Sequence, residues 1–466
     1  MPGKLLKGER KKPFLLRKIR LLTLTLVMAF GMLTLLGLAS CAAKPVSAPS
    51  AMPADLVVNV GANTAQMNFN WYSDAADTAN GAPAVTVKGL GTFKGARGAA
   101  AGGKNWNKVT VTDLAPGATY NFQVSGNGTN YSQTERFTAT GGGDFTFAAV
   151  GDPQLGASGS LDNDIAGWTA TVKEIMDQGA SFIAGTGDQI NDSSQGANSV
   201  TRKENQYAGL FAGLNRSGKH MAFAPAMGNH EGGGSGPAGP GRELYGWHYN
   251  VPNDAGQPVN GFQLNDYYYR QNNVLFVVLD TAPNLADAAG AKPYIAAFDR
   301  ELAAAAKDCA GQFNWLVVQT HKSRMSNANH WNAKDINAYS LGGFEDLMTK
   351  YQVDLVLTGH DHSYVRTYPL KSSGGPLVNN GVTIDWQNKG DELVNPNGTV
   401  YMVLDSASGS KFYAPRHTPK FTSKVEYQSN IPEYTIIKVT AAKLSITTYE
   451  TGSGKTVDHF SIAKGL

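Results

Sequence analysis

Phe145-Thr-Phe-Ala-Ala-Val-Gly-Asp-Pro-Gln154 is an apolar run that passes without a spacer into glycine and an acid. The run reads as a buried strand, and a glycine at its end lets the backbone turn sharply and approach an ion closely. Four more apolar runs end in a loop that offers a metal-binding donor. Phe182-Ile-Ala-Gly leads into Gly187-Asp188-Gln189-Ile190-Asn191, and Ala222-Phe-Ala-Pro-Ala into Gly228-Asn229-His230-Glu231. Asn314-Trp-Leu-Val-Val-Gln leads into Thr320-His321, and Val353-Asp-Leu-Val-Leu into Gly359-His360-Asp361-His362. Together the five loops offer two Asp, one Asn and three His, the donor types of a two-metal hydrolytic centre. One such tetrapeptide says little; five in order, each behind a strand, say much more. Donors taken from several strand ends make a rigid site. If residues 360–362 are extended, His360 and His362 face the same way and both reach a metal pair.

Outward from these strands, Asp164 to Asp177 has helical spacing through Ile165, Trp168, Val172 and Ile175. Ala296 to Cys309 and Phe344 to Tyr351 are further helices; Val274-Leu-Phe-Val-Val-Leu-Asp and Val400-Tyr-Met-Val-Leu are further strands. Strands alternating with helices, with a β-rich end, imply layered α/β packing. The pattern changes at Gly141-Gly-Gly. From about residue 54 to 139 it is strands and turns only, as in Asp55-Leu-Val-Val-Asn-Val, Gln66-Met-Asn-Phe-Asn-Trp and Lys108-Val-Thr-Val-Thr. Asp113-Leu-Ala-Pro-Gly-Ala-Thr-Tyr120 puts a leucine before a Pro-Gly turn and a tyrosine at the next strand's start. It resembles the E–F corner of fibronectin type III domains. The expected fold is therefore a β-sandwich domain over residues 54–140, followed by an α/β domain over 144–466.

The N-terminus reads as an export signal. Residues 1–40 hold eight Lys/Arg and one Glu, and residues 21–37 are almost wholly apolar. Leu38-Ala39-Ser40-Cys41 follows and resembles the lipobox of bacterial lipoproteins, which implies cleavage before Cys41 and lipidation of it. A transmembrane anchor is the alternative. Residues 41–53 then read as a tether. The other cysteine, Cys309, reads as a small packed hydrophobe, so no disulfide is expected. Removing the +7 of residues 1–40 from the formal +3 leaves 3 − 7 = −4 for the remainder. A mildly acidic chain gives no support for a nucleic-acid-binding face.

The five motifs, together with Ser363-Tyr-Val-Arg366-Thr-Tyr and Val400-Tyr-Met-Val-Leu-Asp-Ser-Ala-Ser-Gly, resemble the calcineurin-like metallophosphoesterases. Within them the chain looks most like purple acid phosphatases and their bacterial relatives, which carry a fibronectin-like domain in front. The resemblance covers roughly residues 54–460. It implies a layered α/β/β/α metallophosphoesterase domain and two divalent metals. Asp152, Asp188 and His362 would bind the first metal. Asp188, Asn229, His321 and His360 would bind the second, with Asp188 bridging. The resemblance makes His230 the group that protonates the leaving alkoxide or orients phosphate, and His330 a substrate contact. The reaction it implies is hydrolysis of phosphomonoesters by attack of metal-bound hydroxide.

Two departures stand out. The purple enzymes carry a tyrosinate where this chain has Asn191, so ferric iron loses its anionic donor and Mn, Zn or ferrous Fe suits the site. Gln154 occupies a position where other branches have His or Gly; its amide oxygen either ligates or bonds the hydroxide. Asp361 reads as a turn or supporting residue, Asp280 as a loop cap, and Arg366 as a phosphate contact or an ion pair. His220, His248, His417 and His459 read as surface or packing residues. Ser406-Ala-Ser-Gly-Ser has no His/Asp spacing that would make it a serine-hydrolase loop. Glu231-Gly-Gly-Gly-Ser-Gly-Pro-Ala-Gly-Pro-Gly reads as a loop or lid beside His230. The expected product is an exported, lipid-anchored phosphoesterase acting on a small phosphate ester at the cell envelope. A phosphodiesterase acting on nucleotides, phospholipids or cell-wall polymers, and a non-catalytic surface-binding lipoprotein, are the other two readings.

Overall fold

The computed structural model describes residues 52–53, 55–76, 81–194, 197–232, 240–254, 256–373, 381–416 and 422–465. The leader, Cys41 and most of the tether lie outside these residues, as do His417 and residues 233–239 of the glycine-rich loop. Among the described residues, no helix is long and apolar enough to cross a membrane.

The strands Phe145–Val150, Phe182–Gly185 and Ala222–Pro225 are parallel neighbours, and Glu433–Val439, Lys443–Glu450 and Thr456–Ala463 extend their sheet antiparallel. A second sheet is built on Val274–Leu279, Trp315–Thr320, Leu355–Thr358 and Val400–Val403, also parallel, with Tyr364–Thr367 antiparallel beside them. These strands are buried on both faces, which explains why they read as unbroken apolar runs. Their alternation is still real. Phe147, Phe276, Val317 and Leu355 point into a core between the two sheets. Ala148, Val150 and Ile183 point outward, under the helices Leu161–Asp177, Ala197–Gly213 and Pro240–His248. Leu275, Val277, Val318 and Val356 point outward on the other side, under Ala288–Asp308, Lys334–Gly342 and Phe344–Lys350. The result is helix, sheet, sheet, helix. Each fully buried Phe, Leu or Val contributes roughly 1.5–3 kcal/mol to holding the layers.

The helix expected from Ala296 begins earlier, at Ala288, because Asp287 caps it with a bond from Gly290 N at 2.8 Å and the helix runs on through Pro293. Cys309 is its buried C-terminal cap and a free thiol.

The preceding strands do not stop at a domain boundary. Val57–Val60, Met67–Asp74 and Lys104–Val111 continue the first sheet, joining it where Asn59 pairs with Phe223. Ala84–Val87, Thr119–Ser125 and Glu135–Thr138 form a separate sheet that pairs with Lys219–His220. Phe69 from one set meets Phe122 from the other with ring centroids 5.0 Å apart. The Tyr120 hydroxyl accepts from Ala115 N at 2.8 Å, closing the turn that the sequence marks. Buried asparagines bind these strands to the rest. Asn59 and Asn68 donate to Phe223 O and Asn250 O, both at 2.9 Å, and Asn250 N donates back to Asn59 Oδ1 at 3.0 Å.

Candidate metal centre

The five loops leave the C-terminal ends of five parallel strands, three in one sheet and two in the other. Gln319 links the two rows: its amide donates to Gly185 O at 2.5 Å and to Ala224 O at 2.7 Å. The motif glycines are required by close approach. A Cβ on Gly228 would collide with Asp188, one on Gly359 with Asp152, and one on Gly187 would lie 2.7 Å from His321 Nδ1. Gln154, Asp188, His360 and His362 all hold positive φ, 37°, 46°, 73° and 43°. For non-glycine residues this is strained backbone of the kind that collects at functional sites. The expectation of an extended 360–362 segment fails here: both histidines are in left-handed turns, so they reach the site by loop curvature and not by strand alternation.

Asp188, His321 and His360 bring ligand atoms within 4.8 Å of one another. His321 Nδ1 lies 2.8 Å from Thr186 O, an acceptor, so the proton sits on Nδ1 and Nε2 presents a lone pair. That lone pair faces Asn229 Oδ1 at 3.0 Å and Asp188 Oδ2 at 3.3 Å. Ligand-type atoms of three groups thus converge, and His360 Nδ1 lies 3.1 Å from the same Nε2. Asp152 lies on the other side of His321, with Oδ1 at 3.8 Å from Nδ1. Its Oδ2 accepts from His360 N at 2.7 Å, while Oδ1 is buried without a partner. His362 repeats the His321 arrangement, with Nδ1 against Lys411 O at 3.0 Å and Nε2 unassigned. A ligand histidine whose other nitrogen is fixed by a carbonyl is the usual support in metal sites.

Electrostatics point the same way. Burial, then the Asp188 charge, pushes Asp152 well above the carboxylate range. Burial also pushes Asp188 up, but the imidazoles of His321, His230 and His360 outweigh it and hold this carboxyl well below that range. Two acids this close do not both ionise without a compensating cation. Burial holds His360 well below its ordinary value, helped by His321 and His330, and burial with the Lys411 charge takes His362 down to about 3. Both imidazoles are therefore neutral at pH 7, with lone pairs to give. A divalent pair fits this donor set.

Around these candidate ligands stand the other expected residues. His230 places Nδ1 against the carbonyl oxygen of Asn191 and Nε2 at 2.8 Å from Gln154 Nε2; its own N–H donates to Asp188 Oδ1 at 2.9 Å. Gln154 also donates to Asn191 Oδ1 at 3.2 Å, and its Oε1 is buried and free. The Asn191 side chain is occupied by Gln154 and Gly156. His330 donates from Nδ1 to Asp361 at 3.0 Å and lies beside His360, ring centroids 4.3 Å apart. Asp361 also accepts from Ser326, Ala328 N and His330 N. Burial raises its carboxyl, but the bonds from His330 and Ser326 more than offset this and hold it below the usual range. It is the support for His330. Asn229, Asn284, Leu285, His330, Lys334, Asp335 and His360 line a cleft of about 400 Å³.

Three contributors escaped the sequence reading. Glu231 is fully buried and accepts from Ile190 N and Gly228 N, each at 2.9 Å, so it pins two of the motif loops together. Its place directly after His230 was the available signal. Lys322, directly after His321, is buried and donates to Asp335 at 2.6 Å and Asn284 at 2.7 Å. The small-residue loop is a brace: Ser406 donates to Asp152 O at 3.2 Å, and Ser408 and Ser410 to Pro153 O at 2.5 and 3.1 Å. Asp280 does cap Ala282 N, at 3.0 Å, but it also pairs with the buried Arg242 at 2.7 Å, an ion pair the sequence does not show. Arg366 is structural, held by Asp458 at 2.6 Å and Asp391 at 2.8 Å. His248 pairs with Glu204 at 2.8 Å and His220 with Glu135 at 3.4 Å; both are packing residues.

Residues 145–364 match the family described as calcineurin-like phosphoesterase. Two uncharacterized proteins from Mycobacterium tuberculosis strains are each 26% identical over 325 residues, covering 66% of this chain. The chain spans 58% of the length of these relatives. An acid phosphatase of Aspergillus ficuum is 37% identical over 73 residues, 14% of this chain and 11% of its own. Among solved structures, the purple acid phosphatase PPD1 from yellow lupin superposes with a TM-score of 0.67 at 16% identity. That match covers 88% of this chain and 74% of the lupin chain, and the fold is what the two share.

Proposed function

We propose that this chain, whose residues 145–364 match the calcineurin-like phosphoesterase family, hydrolyses phosphomonoesters at a two-metal centre. The observation that carries this reading is the convergence of Asp188, His321 and His360 beside an Asp152 oxygen that is buried and unpartnered. Asp152, Asp188 and His362 would hold one ion; Asp188, Asn229, His321 and His360 the other. When bound, such a pair supplies an activated water and neutralises phosphate charge. The chain's own residues do the rest. His230 keeps Nδ1 against Asn191 O and turns Nε2 to the site, where the Gln154 amide meets it at 2.8 Å; Nε2 is the atom that would hand a proton to a leaving oxygen once the substrate takes that amide's place. Asp188 Oδ2 lies 3.9 Å from that nitrogen. His330, held by Asp361, turns Nε2 away from the carboxylate, where it can bond a phosphate or leaving-group oxygen. Lys334 at the cleft mouth favours an anionic substrate.

Rates on p-nitrophenyl phosphate and on bis-p-nitrophenyl phosphate, with metal content and visible spectrum taken on the same sample, test this reading. We expect the monoester to be preferred, about two Mn, Zn or Fe per chain, and no purple charge-transfer band, because Asn191 cannot donate phenolate charge. A strong band contradicts the role given to Asn191. A faster diester shifts the reading to a phosphodiesterase on nucleotides, phospholipids or cell-wall polymers. No hydrolysis of either ester leaves a surface-binding protein.

Export and anchoring through Cys41 belong to the same proposal, resting on the apolar run that ends in Leu38-Ala39-Ser40-Cys41. Two or more acyl chains would give stable attachment where one would not. A fatty-acid probe is expected to label wild type and not Cys41→Ser; an unlabelled chain retaining residues 1–40 sinks the anchor. The preceding strands are read as a fibronectin-like sandwich that shapes the cleft, on the strength of the Tyr120–Ala115 bond.

A further inference from the structure

Three carboxylates lie on neighbouring segments behind the loop that braces Asp152; Asp405 belongs to the stretch Val400 to Gly409 quoted above, and the two glutamates belong to no motif. Asp405 follows the strand Val400–Val403; Glu433 and Glu450 face each other across the antiparallel strands Glu433–Val439 and Lys443–Glu450. Glu433 N donates to Ser406 O at 3.1 Å, which brings the two segments together. Exposure is 1% for Asp405 and 2% for each glutamate.

Their hydrogen bonding is very uneven. Glu450 is well served, accepting from Tyr427 Oη at 2.5 Å, Ser453 Oγ at 2.9 Å and Lys455 Nζ at 3.3 Å. Asp405 accepts from Ser406 N at 2.7 Å on Oδ1 and has the Gln428 amide beside it, while Oδ2 makes no bond of good geometry. Neither oxygen of Glu433 has a partner. A buried carboxylate with nothing to bond is among the most expensive groups a fold can hold, and such groups are normally paired or ligate a metal. The charges that act on Glu433 are Asp405 and Glu450, which repel it, and Lys455, which attracts it. Three carboxylates against one ammonium leave a charge of −3 + 1 = −2. One dication closes that balance. The side-chain donors are oxygens, with no imidazole or thiolate among them, which selects a hard ion of the calcium type over zinc.

We propose that Asp405 and Glu433, backed by Glu450, bind a hard divalent cation of the calcium class, at a site separate from the imidazole-rich centre. The ion links the Asp405 loop to the Glu433 strand directly behind that centre. Ser406 Oγ donates to Asp152 O at 3.2 Å and Ala407 N to Gly151 O at 3.0 Å, so the cross-link stiffens the strand end that carries Asp152. The rival state is protonation. Without a cation, burial, then the neighbouring acids, pushes Glu433 to about 10, and burial pushes Asp405 to about 8.

The test uses the full Mn²⁺-loaded protein, dialysed free of calcium and titrated with Ca²⁺ by calorimetry and by thermal unfolding. Wild type is expected to bind one Ca²⁺ per chain and to gain about 5 °C in Tm near saturation. Glu433→Gln should lose both effects, and so should Asp405→Asn, which guards against a folding failure in either variant alone. Asp188→Asn, which disables the other centre, should keep both. Wild type that binds no Ca²⁺, or a Glu433→Gln protein that binds it as well as wild type, overturns the site. A Glu433→Gln protein with a raised Tm in calcium-free buffer, alongside a wild type indifferent to Ca²⁺, establishes the protonated pair in its place. None of these outcomes depends on whether the protein hydrolyses phosphate esters.

Discussion

Asp188→Asn is expected to abolish hydrolysis in practice, with activity falling by well over 100-fold and metal content dropping from about two ions per chain to one or fewer. Groups that merely support a ligand already cost about 10–100-fold when removed. Asp188 does more than support. Its Oδ2 lies 3.3 Å from His321 Nε2, and its Oδ1 accepts from His230 N at 2.9 Å, so one carboxylate stands between the ligand rows of both sheets. An amide in its place keeps the shape and removes the shared negative charge. Repulsion between two cations then goes uncompensated. The fold should survive, because Asn relieves the crowding of two buried acids. Metal analysis and turnover on the same sample check the claim; near-wild-type turnover with two ions bound would refute it.

His230→Ala is expected to lower the rate by about 10²–10⁴-fold on alkyl phosphates, the range for a lost general acid, and far less on p-nitrophenyl phosphate. Nitrophenolate leaves without a proton; an alkoxide does not. Metal content should be unchanged, because Asn191 O and Gln154 engage the two ring nitrogens and the backbone N–H that contacts Asp188 remains in the alanine variant. Equal losses on both substrates would assign His230 to substrate positioning alone.

Much of this centre was legible in the sequence because its parts are local. A donor at the end of an apolar strand forms one continuous word, with a glycine before the donor in four of its five occurrences. The strands themselves were found because burial on both faces makes them uniformly apolar. Helices with strongly polar composition were harder. Ala197–Gly213, with Arg202, Lys203, Glu204 and Asn205 in its middle, makes its core contacts through Tyr207, Leu210 and Phe211, with Val200 half-buried beside them. Properties that depend on distant segments were not legible at all. The first sheet's continuation through Val57–Val60 rests on one pairing, Asn59 with Phe223, separated by 164 residues. The left-handed turns at His360 and His362 follow from loop closure around Asp152, which no spacing rule encodes. Asp405, Glu433 and Glu450 come from three strand ends and share no motif.

The most direct test of the central claim is to titrate metal-stripped protein with Mn²⁺ while following p-nitrophenyl phosphate hydrolysis. Activity is predicted to be absent at the start and to rise to a plateau near two ions per chain, with Asp188→Asn flat throughout. A stripped protein that hydrolyses the ester as fast as the loaded one, or a fully loaded protein that does not hydrolyse it, would contradict the account.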